Sequence, residues 1–244
     1  MTPAYGIAQR LGDRSRQCDA ATVHTIPGGV TAFVLLDGVG SSDTVRAWTL
    51  AAADRLARAC ALAGDAETGL RAEYNRHAAE SARHDPRTRI RLPHASAVAA
   101  VHTPGGRLSV AWCGDARAYL LLDGDTTTRL LTADHNQRRR AGGSPDALTS
   151  CLGVPWDDRR TQEVYGHPAI EALAETLPRP GRLLLASDGA YEPYETTGGL
   201  TAEHLAGPPT PTAHALVDEA VARARAAGGP LADNSSALIA DAGR

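Results

Sequence analysis

Val30-Thr31-Ala32-Phe33-Val34-Leu35-Leu36-Asp37-Gly38-Val39-Gly40 runs from apolar, β-branched and aromatic residues into an acidic turn, and its reading decides the fold. Such residues fit a pleated, buried strand, and Asp-Gly supplies the turn chemistry that ends one. Ala20 to Ile26 and the Pro27-Gly28-Gly29 turn precede the run, so the spacing predicts a hairpin that stops at Asp37. Working outward, Ala95 to His102 and Leu108 to Cys113 flank Pro104-Gly105-Gly106 as a second hairpin. Ala118 to Leu122 and Thr127 to Leu131 flank Asp123-Gly124-Asp125 as a third. Arg182 to Ala186 and Ser236 to Ala240 read as single strands.

Helical spacing appears in separate blocks. Val45, Trp48, Ala52, Leu56 and Ala59 form one apolar stripe, and Glu67 to Arg83 carries Leu70, Tyr74 and Ala78 on another. Ala213 to Ala227 places Leu216, Ala220 and Val221 on a third stripe, after a turn at Gly207-Pro208-Pro209-Thr210-Pro211 in which Thr210 or Thr212 is expected to cap the helix. Hairpins with segregated amphipathic helices predict an α+β chain, helices outside mainly antiparallel sheets, without the βαβ alternation of a parallel sheet. No repeat or linker divides the sequence, so one domain over residues 4–240 is expected.

The 244 residues suffice for a substantial core, and 43% hydrophobic content is ordinary for a globular chain. A net charge of -3 invites neither nucleic acid nor an anionic membrane, and all 25 basic side chains are arginine, a bias of composition rather than function. No apolar stretch nears the ~20 residues of a membrane span, and Met1 to Arg10 lacks a secretory pattern. Cys18, Cys60, Cys113 and Cys151 are scattered without a C-x-x-C pair, which argues against structural zinc and for free thiols in a reducing cytoplasm.

Acidic motifs recur in order: Arg14-Ser15-Arg16-Gln17-Cys18-Asp19, Asp37-Gly38-Val39-Gly40, Gly114-Asp115-Ala116-Arg117-Ala118-Tyr119, Ser187-Asp188-Gly189 and Asp233-Asn234. Taken singly, Asp-Gly is an ordinary turn and Arg14 an ordinary surface arginine. Aspartates at strand ends, gathered by a folded sheet, are what a hard divalent cation such as Mg²⁺ or Mn²⁺ takes as ligands.

With Leu131-Thr132-Ala133-Asp134-His135-Asn136 and Leu148-Thr149-Ser150-Cys151-Leu152-Gly153 added, the ordered set resembles the metal-dependent serine/threonine protein phosphatases of the PP2C (PPM) type, as a bacterial stand-alone catalytic domain. The resemblance implies a four-layer α-β-β-α sandwich whose strand ends deliver carboxylates to two Mn²⁺ or Mg²⁺ ions. It implies that Asp37 bridges both ions, that the Gly38 carbonyl binds one, and that Asp188 and Asp233 hold the other. Arg14 would bind the substrate phosphate with its planar fork, Asp19 would orient metal-bound water, and Asp115 with Asp188 would form a third ion site. A water bridging two cations would attack phosphorus directly. The implied partner is a phosphorylated protein, with a serine/threonine kinase opposing the enzyme, and the implied protein is a cytoplasmic monomer without nucleic-acid or membrane partners.

Departures from the family pattern are also legible. Cys18 stands where the family has a glutamate ligand; a thiol suits Mg²⁺ or Mn²⁺ poorly, so the second ion would bind more weakly, with water in the gap or Zn²⁺ competing. The flap segment between His135 and Leu152 is short, filled by Arg138-Arg139-Arg140 and Ala141-Gly142-Gly143-Ser144-Pro145, which predicts a more open site or a differently gated one. The arginine run reads as a solvated face, Asp134-His135 as a local turn, and Trp48, Trp112, Cys60 and Cys151 as core. A redox role for Cys18 would require exposure and a lowered pKa. Three other functions stay open at this point: a weakly active or inactive pseudophosphatase that binds phosphoproteins, a phosphatase of sigma-factor antagonists, and an unrelated metal-dependent hydrolase of small phosphate esters.

Overall fold

The computed structural model describes residues 3–144, 146–228 and 231–243. Pro145 and the side chains of Arg140 and Ala141, all in the expected flap, lie outside the described residues. In chain order the strands are β1 (Tyr5–Arg10), β2 (Ala20–Thr25), β3 (Thr31–Gly38), β4 (Ala95–His102), β5 (Arg107–Cys113), β6 (Arg117–Leu122), β7 (Arg129–Leu130), β8 (Glu171–Thr176), β9 (Gly181–Ala186) and β10 (Ser235–Ala242). The helices are α1 (Asp43–Ala63), α2 (Ala66–Ala78), α3 (Pro86–Arg89), α4 (Gln137–Ala141), α5 (Asp158–Tyr165), α6 (Asp188–Glu195) and α7 (Pro209–Ala226).

Two five-stranded antiparallel sheets face each other, ordered β1-β10-β9-β6-β7 and β2-β3-β4-β5-β8. Strand periodicity sorts the apolar residues into three layers. In β3, Phe33 and Leu35 point between the sheets to meet Leu183, Leu185 and Leu238. Ala32, Val34 and Leu36 point the other way, onto Leu56, Cys60 and Leu70 of α1 and α2. Beyond the second sheet, Leu184 and Ile239 pack on Tyr191, Tyr194, Leu216 and Val217 of α6 and α7. Both faces of the central strands are covered, which is why β3 and β4 read as unbroken apolar runs. Truncating a fully buried leucine such as Leu35 would cost about 2–5 kcal/mol. The α+β sandwich expected from the sequence is the fold observed.

Local rules account for the helix that follows the Asp37 turn. Ser42 caps α1 by accepting from the Val45 amide, and Gly64 ends it in the left-handed region at φ 64°. Asp65 then caps α2 through Thr68.

Several expectations are corrected. The second helix ends at Ala78 rather than Arg83, where a separate 3-10 turn spans Ser81–Arg83. Neither Thr210 nor Thr212 caps α7: Pro208 holds that position, and the Thr212 hydroxyl donates back to Ala206 and Pro208 carbonyls from inside the helix. The second strand of the third hairpin shrinks to Arg129–Leu130. Strands β1 and β8 lack a strong apolar signal because they lie at sheet edges, where pairing rather than burial defines them. Gly6 in β1 is required by packing, since a Cβ there would sit 2.4 Å from the Thr210 backbone of α7.

Candidate active site

All five acidic motifs converge on one edge of the sandwich, where a cleft of about 340 Å³ is lined by Arg14, Asp37, Gly38, Asp115, Asp188 and Asp233 among others. Antiparallel pairing makes this unavoidable. Strand β3 ends at Asp37-Gly38, β5 runs out just before Gly114-Asp115, β9 ends just before Ser187-Asp188, and β10 begins just after Asp233-Asn234. Strand directions bring all four of these ends to the same rim.

The rim backbone is close-packed. A Cβ on Gly38 would lie 2.4 Å from the Cys18 carbonyl and 2.6 Å from Thr49 Oγ1. One on Gly189 would lie 2.2 Å from the Asn234 carbonyl. Gly114, at φ 108°, passes over Ser96, whose hydroxyl accepts from the amides of Asp115 (2.7 Å) and Ala116 (2.6 Å). Asp37, Asp115 and Asp188 are therefore carried on closely packed segments.

Electrostatics in the cleft are unfavourable for so many carboxylates. Burial pushes the Asp37 carboxyl well above the usual range, and Asp188, Asp19 and Asp115 push it further. Burial and then Asp188 and Asp134 raise Asp115 to about 8. Asp188 is raised by burial and by Asp233, partly offset by Asp37 and by the Gly189 amide, which donates to its Oδ1 at 2.5 Å. Asp19 is 3% exposed and lies behind the cleft rather than lining it. Neither of its carboxylate oxygens has a well-formed hydrogen bond, and burial raises it to about 7.

Among the described residues that line the cleft, positive charge enters from one side chain. Arg14 Nη2 pairs with Asp233 Oδ2 at 2.5 Å, both about two-fifths exposed, and Asp233 is the chief cause of the raised Arg14 pKa. The loop carrying Arg14 is fastened by two residues to which the sequence reading gave no role. Asn234 accepts from the Cys18 amide (2.8 Å) and donates to the Leu11 carbonyl (2.9 Å). Asp13 exchanges bonds with Ala232, its amide donating at 2.8 Å and its carboxylate accepting at 2.9 Å. Asn234 was visible as part of its motif, whereas its reach across 216 residues of chain was not.

Cys18 is fully buried and does not line the cleft. Its thiol faces the Ser42 carbonyl at 3.7 Å, and burial raises its pKa, the reverse of a reactive cysteine. Neither condition for a redox role, exposure or a lowered pKa, is met. Asp134-His135 is no local turn either. Asp134 makes a two-pronged pair with Arg117 (2.8 and 2.7 Å), whose guanidinium lies over the Tyr191 ring, while Tyr191 donates to the Asp115 carbonyl. His135 is buried, bonded to Glu171 and stacked on His167. Of the arginine run, Arg138 pairs with Glu192 and Glu195 and Arg139 with Glu171, so these two are engaged rather than merely solvated.

The donor set of carboxylates and one carbonyl suits a hard divalent cation, and the mutual repulsion of the buried carboxylates Asp37, Asp115 and Asp188 favours positive charge there. Among the described residues, however, no group of three or more His, Cys, Asp or Glu side chains is already gathered around a single point.

No protein-family model matches the chain, and no curated protein matches it in sequence. Solved structures do match in shape. PppA, a key regulatory component of T6SS in Pseudomonas aeruginosa, is 19% identical at a TM-score of 0.70, over 99% of this chain and 98% of that one. The serine/threonine phosphatase Stp1 from Staphylococcus aureus is 15% identical at 0.68, over 98% and 95%. The Mycobacterium tuberculosis serine/threonine phosphatase PstP/Ppp is 20% identical at 0.63, over 100% of both chains. The chain has the fold of these PP2C-type bacterial serine/threonine phosphatases.

Proposed function

We propose that the chain is a metal-dependent phosphoprotein phosphatase of the PP2C type, a single domain over residues 4–240 that hydrolyses phosphoserine or phosphothreonine monoesters. One observation carries this reading: Arg14, Asp37, Asp115, Asp188 and Asp233, from segments far apart in sequence, line a single cleft in a fold shared with serine/threonine phosphatases.

Asp37, the Gly38 carbonyl, Asp188 and Asp233 would hold two Mn²⁺ or Mg²⁺ ions, with Asp115 available to a third. When bound, the cations supply a water of lowered pKa and neutralise charge at the transferring phosphoryl group. Asp19, behind the cleft, accepts hydrogen bonds from water and orients it. Arg14 offers two parallel donors to the phosphate oxygens, and the fastening of its loop by Asn234 and Asp13 pre-sets that fork. The rigid glycine-bearing rim holds the carboxylates in place, which limits reorganisation during phosphoryl transfer.

The test is hydrolysis of a chromogenic aryl phosphate against Mn²⁺ concentration. Saturable release, abolished by a chelator and lowered at least about a hundredfold in Asp37→Asn, supports the reading; that lies at or beyond the top of the roughly 10–100-fold that loss of a supporting partner alone usually costs. Equal turnover in Asp37→Asn sinks it.

A second reading, phosphoprotein binding without turnover, is favoured by Cys18, which puts a buried thiol where the family has a carboxylate ligand. A folded protein that binds phosphopeptide but releases no phosphate at any Mn²⁺ level would select it. Opposition to a serine/threonine kinase, a monomeric state and a cytoplasmic location belong to the same proposal. Among the described residues no helix is long and apolar enough to cross a membrane.

A further inference from the structure

The cleft does not end at its acidic floor. Past Val39, Asp146 and Leu148 it opens into a second groove of about 280 Å³, whose other walls include Arg89, Ile90, His94 and Val154. The groove is built onto the rim of the cleft itself. The Val39 amide donates to the His94 carbonyl at 3.0 Å, and Ala95 and Leu152 exchange backbone bonds. Beneath it Arg83, 1% exposed, is committed to structure: it pairs with Glu80 and donates to the carbonyls of Pro93 (2.9 Å) and Gly153 (2.7 Å). The groove is thus a preformed extension of the site, with apolar walls that stay exposed, Ile90 by 75% and Val39 by 40%.

Its charge is unusual for this molecule. Among the described arginines, all but Arg46, Arg87, Arg89, Arg91 and Arg160 make an ion pair. Three of these unpaired arginines fall within five residues, on the segment that forms the groove wall. In a protein where most of the described arginines pair internally, a local run of unmatched guanidinium groups on the segment that walls an apolar groove is a surface awaiting a negative partner. We propose that this groove docks the chain flanking the phosphorylated residue of a protein substrate, an apolar side chain seating against Val39, Ile90 and Val154 and acidic side chains pairing with Arg87, Arg89 and Arg91. The proposal rests on the phosphatase reading for what occupies the neighbouring cleft. Asp146, at the shared mouth, repels acid immediately beside the phosphoresidue, so the preference falls on acidic positions further along the peptide.

The experiment uses fluorescein-labelled phosphothreonine peptides carrying a slowly hydrolysed thiophosphate, with glutamate, alanine or arginine two and three residues to either side. Anisotropy titrations at low ionic strength are run with the wild-type protein and with an Arg89→Glu, Arg91→Glu variant; both side chains are unpaired, so their exchange leaves the fold alone, which thermal melting checks. Wild type is expected to bind the glutamate peptide about tenfold more tightly than the arginine peptide, and the variant to reverse that order. Hydrolysis of a small aryl phosphate, too short to reach the groove, is expected to stay within about twofold between the two proteins. Flanking charge without effect on wild type, or an order unchanged in the variant, overturns the proposal. Aryl phosphate turnover with no charge preference would defeat the docking surface and keep the phosphatase; charge preference without turnover would do the opposite.

Discussion

Arg14 and Asp233 hold each other at 2.5 Å across the mouth of the acidic cleft, although the family resemblance gives one to phosphate and the other to a metal ion. Both charges are needed by something else during the proposed reaction, and each satisfies the other when neither is engaged. On the proposed reading, the guanidinium would compete with a cation for Asp233 Oδ2.

Arg14→Ala is expected to separate these roles. Loss of a charge-assisted donor pair costs about 1.5–3 kcal/mol, so KM for an aryl phosphate should rise on the order of tenfold to a hundredfold. Calorimetry should show Mn²⁺ binding more tightly, because Asp233 no longer has a competing partner. An unchanged KM would remove Arg14 from the phosphate site.

Gly38→Ala is expected to disturb the cleft from behind. The new Cβ would meet the Cys18 carbonyl and Thr49, neither of which is the free end of a long side chain, so the rim must shift. About 1–3 kcal/mol of stability should be lost in urea denaturation, typical of an overpacked core. Turnover should fall more than stability does, because the displaced residue neighbours Asp37.

The four thiols should be silent in the native protein. Cys18, Cys60, Cys113 and Cys151 are all buried, and burial raises each thiol, Cys60 and Cys151 to about 12. Titration with Ellman's reagent should give no rapid reaction at neutral pH and complete reaction in guanidinium chloride. Fast labelling of Cys18 in the folded protein would contradict its placement.

Glu73 on α2 should make stability pH-dependent in acid. It is 4% exposed; burial would raise its pKa, but His77, Arg76 and Arg55 together lower it to about 2. A depressed folded-state value contributes stability above the unfolded pKa, which is lost as pH falls from about 4 through about 2. Glu73→Gln should cost on the order of 2 kcal/mol at pH 7 and much less near pH 2, measured by urea unfolding at both. An equal cost at the two pH values would rule out the ionic account.

Sequence alone went far toward the fold because the central strands are covered on both faces. Residues such as Phe33 to Leu36 must then be apolar throughout, and Asp37-Gly38 must follow where the chain leaves the core. The order of the acidic motifs was legible for a related reason: a carboxylate is tolerated at the core's rim only with a turn to carry it. Strands β1 and β8 escaped notice because they are part-exposed edge strands with no hairpin turn to flag them, whereas the edge strands β2 and β7 were marked by the turns that join them to β3 and β6.

Tertiary structure alone decided what touches what. That Cys18 turns its thiol to Ser42, that Asn234 fastens the Arg14 loop, that Asp134 belongs to Arg117, and that Arg89 walls a groove sharing Val39, Asp146 and Leu148 with the cleft are facts of contact between distant segments. A residue's type constrains its burial and its local turn, and so is written in the chain. Its partner depends on which strand ends meet at one rim, and the closing of the two sheets settles that.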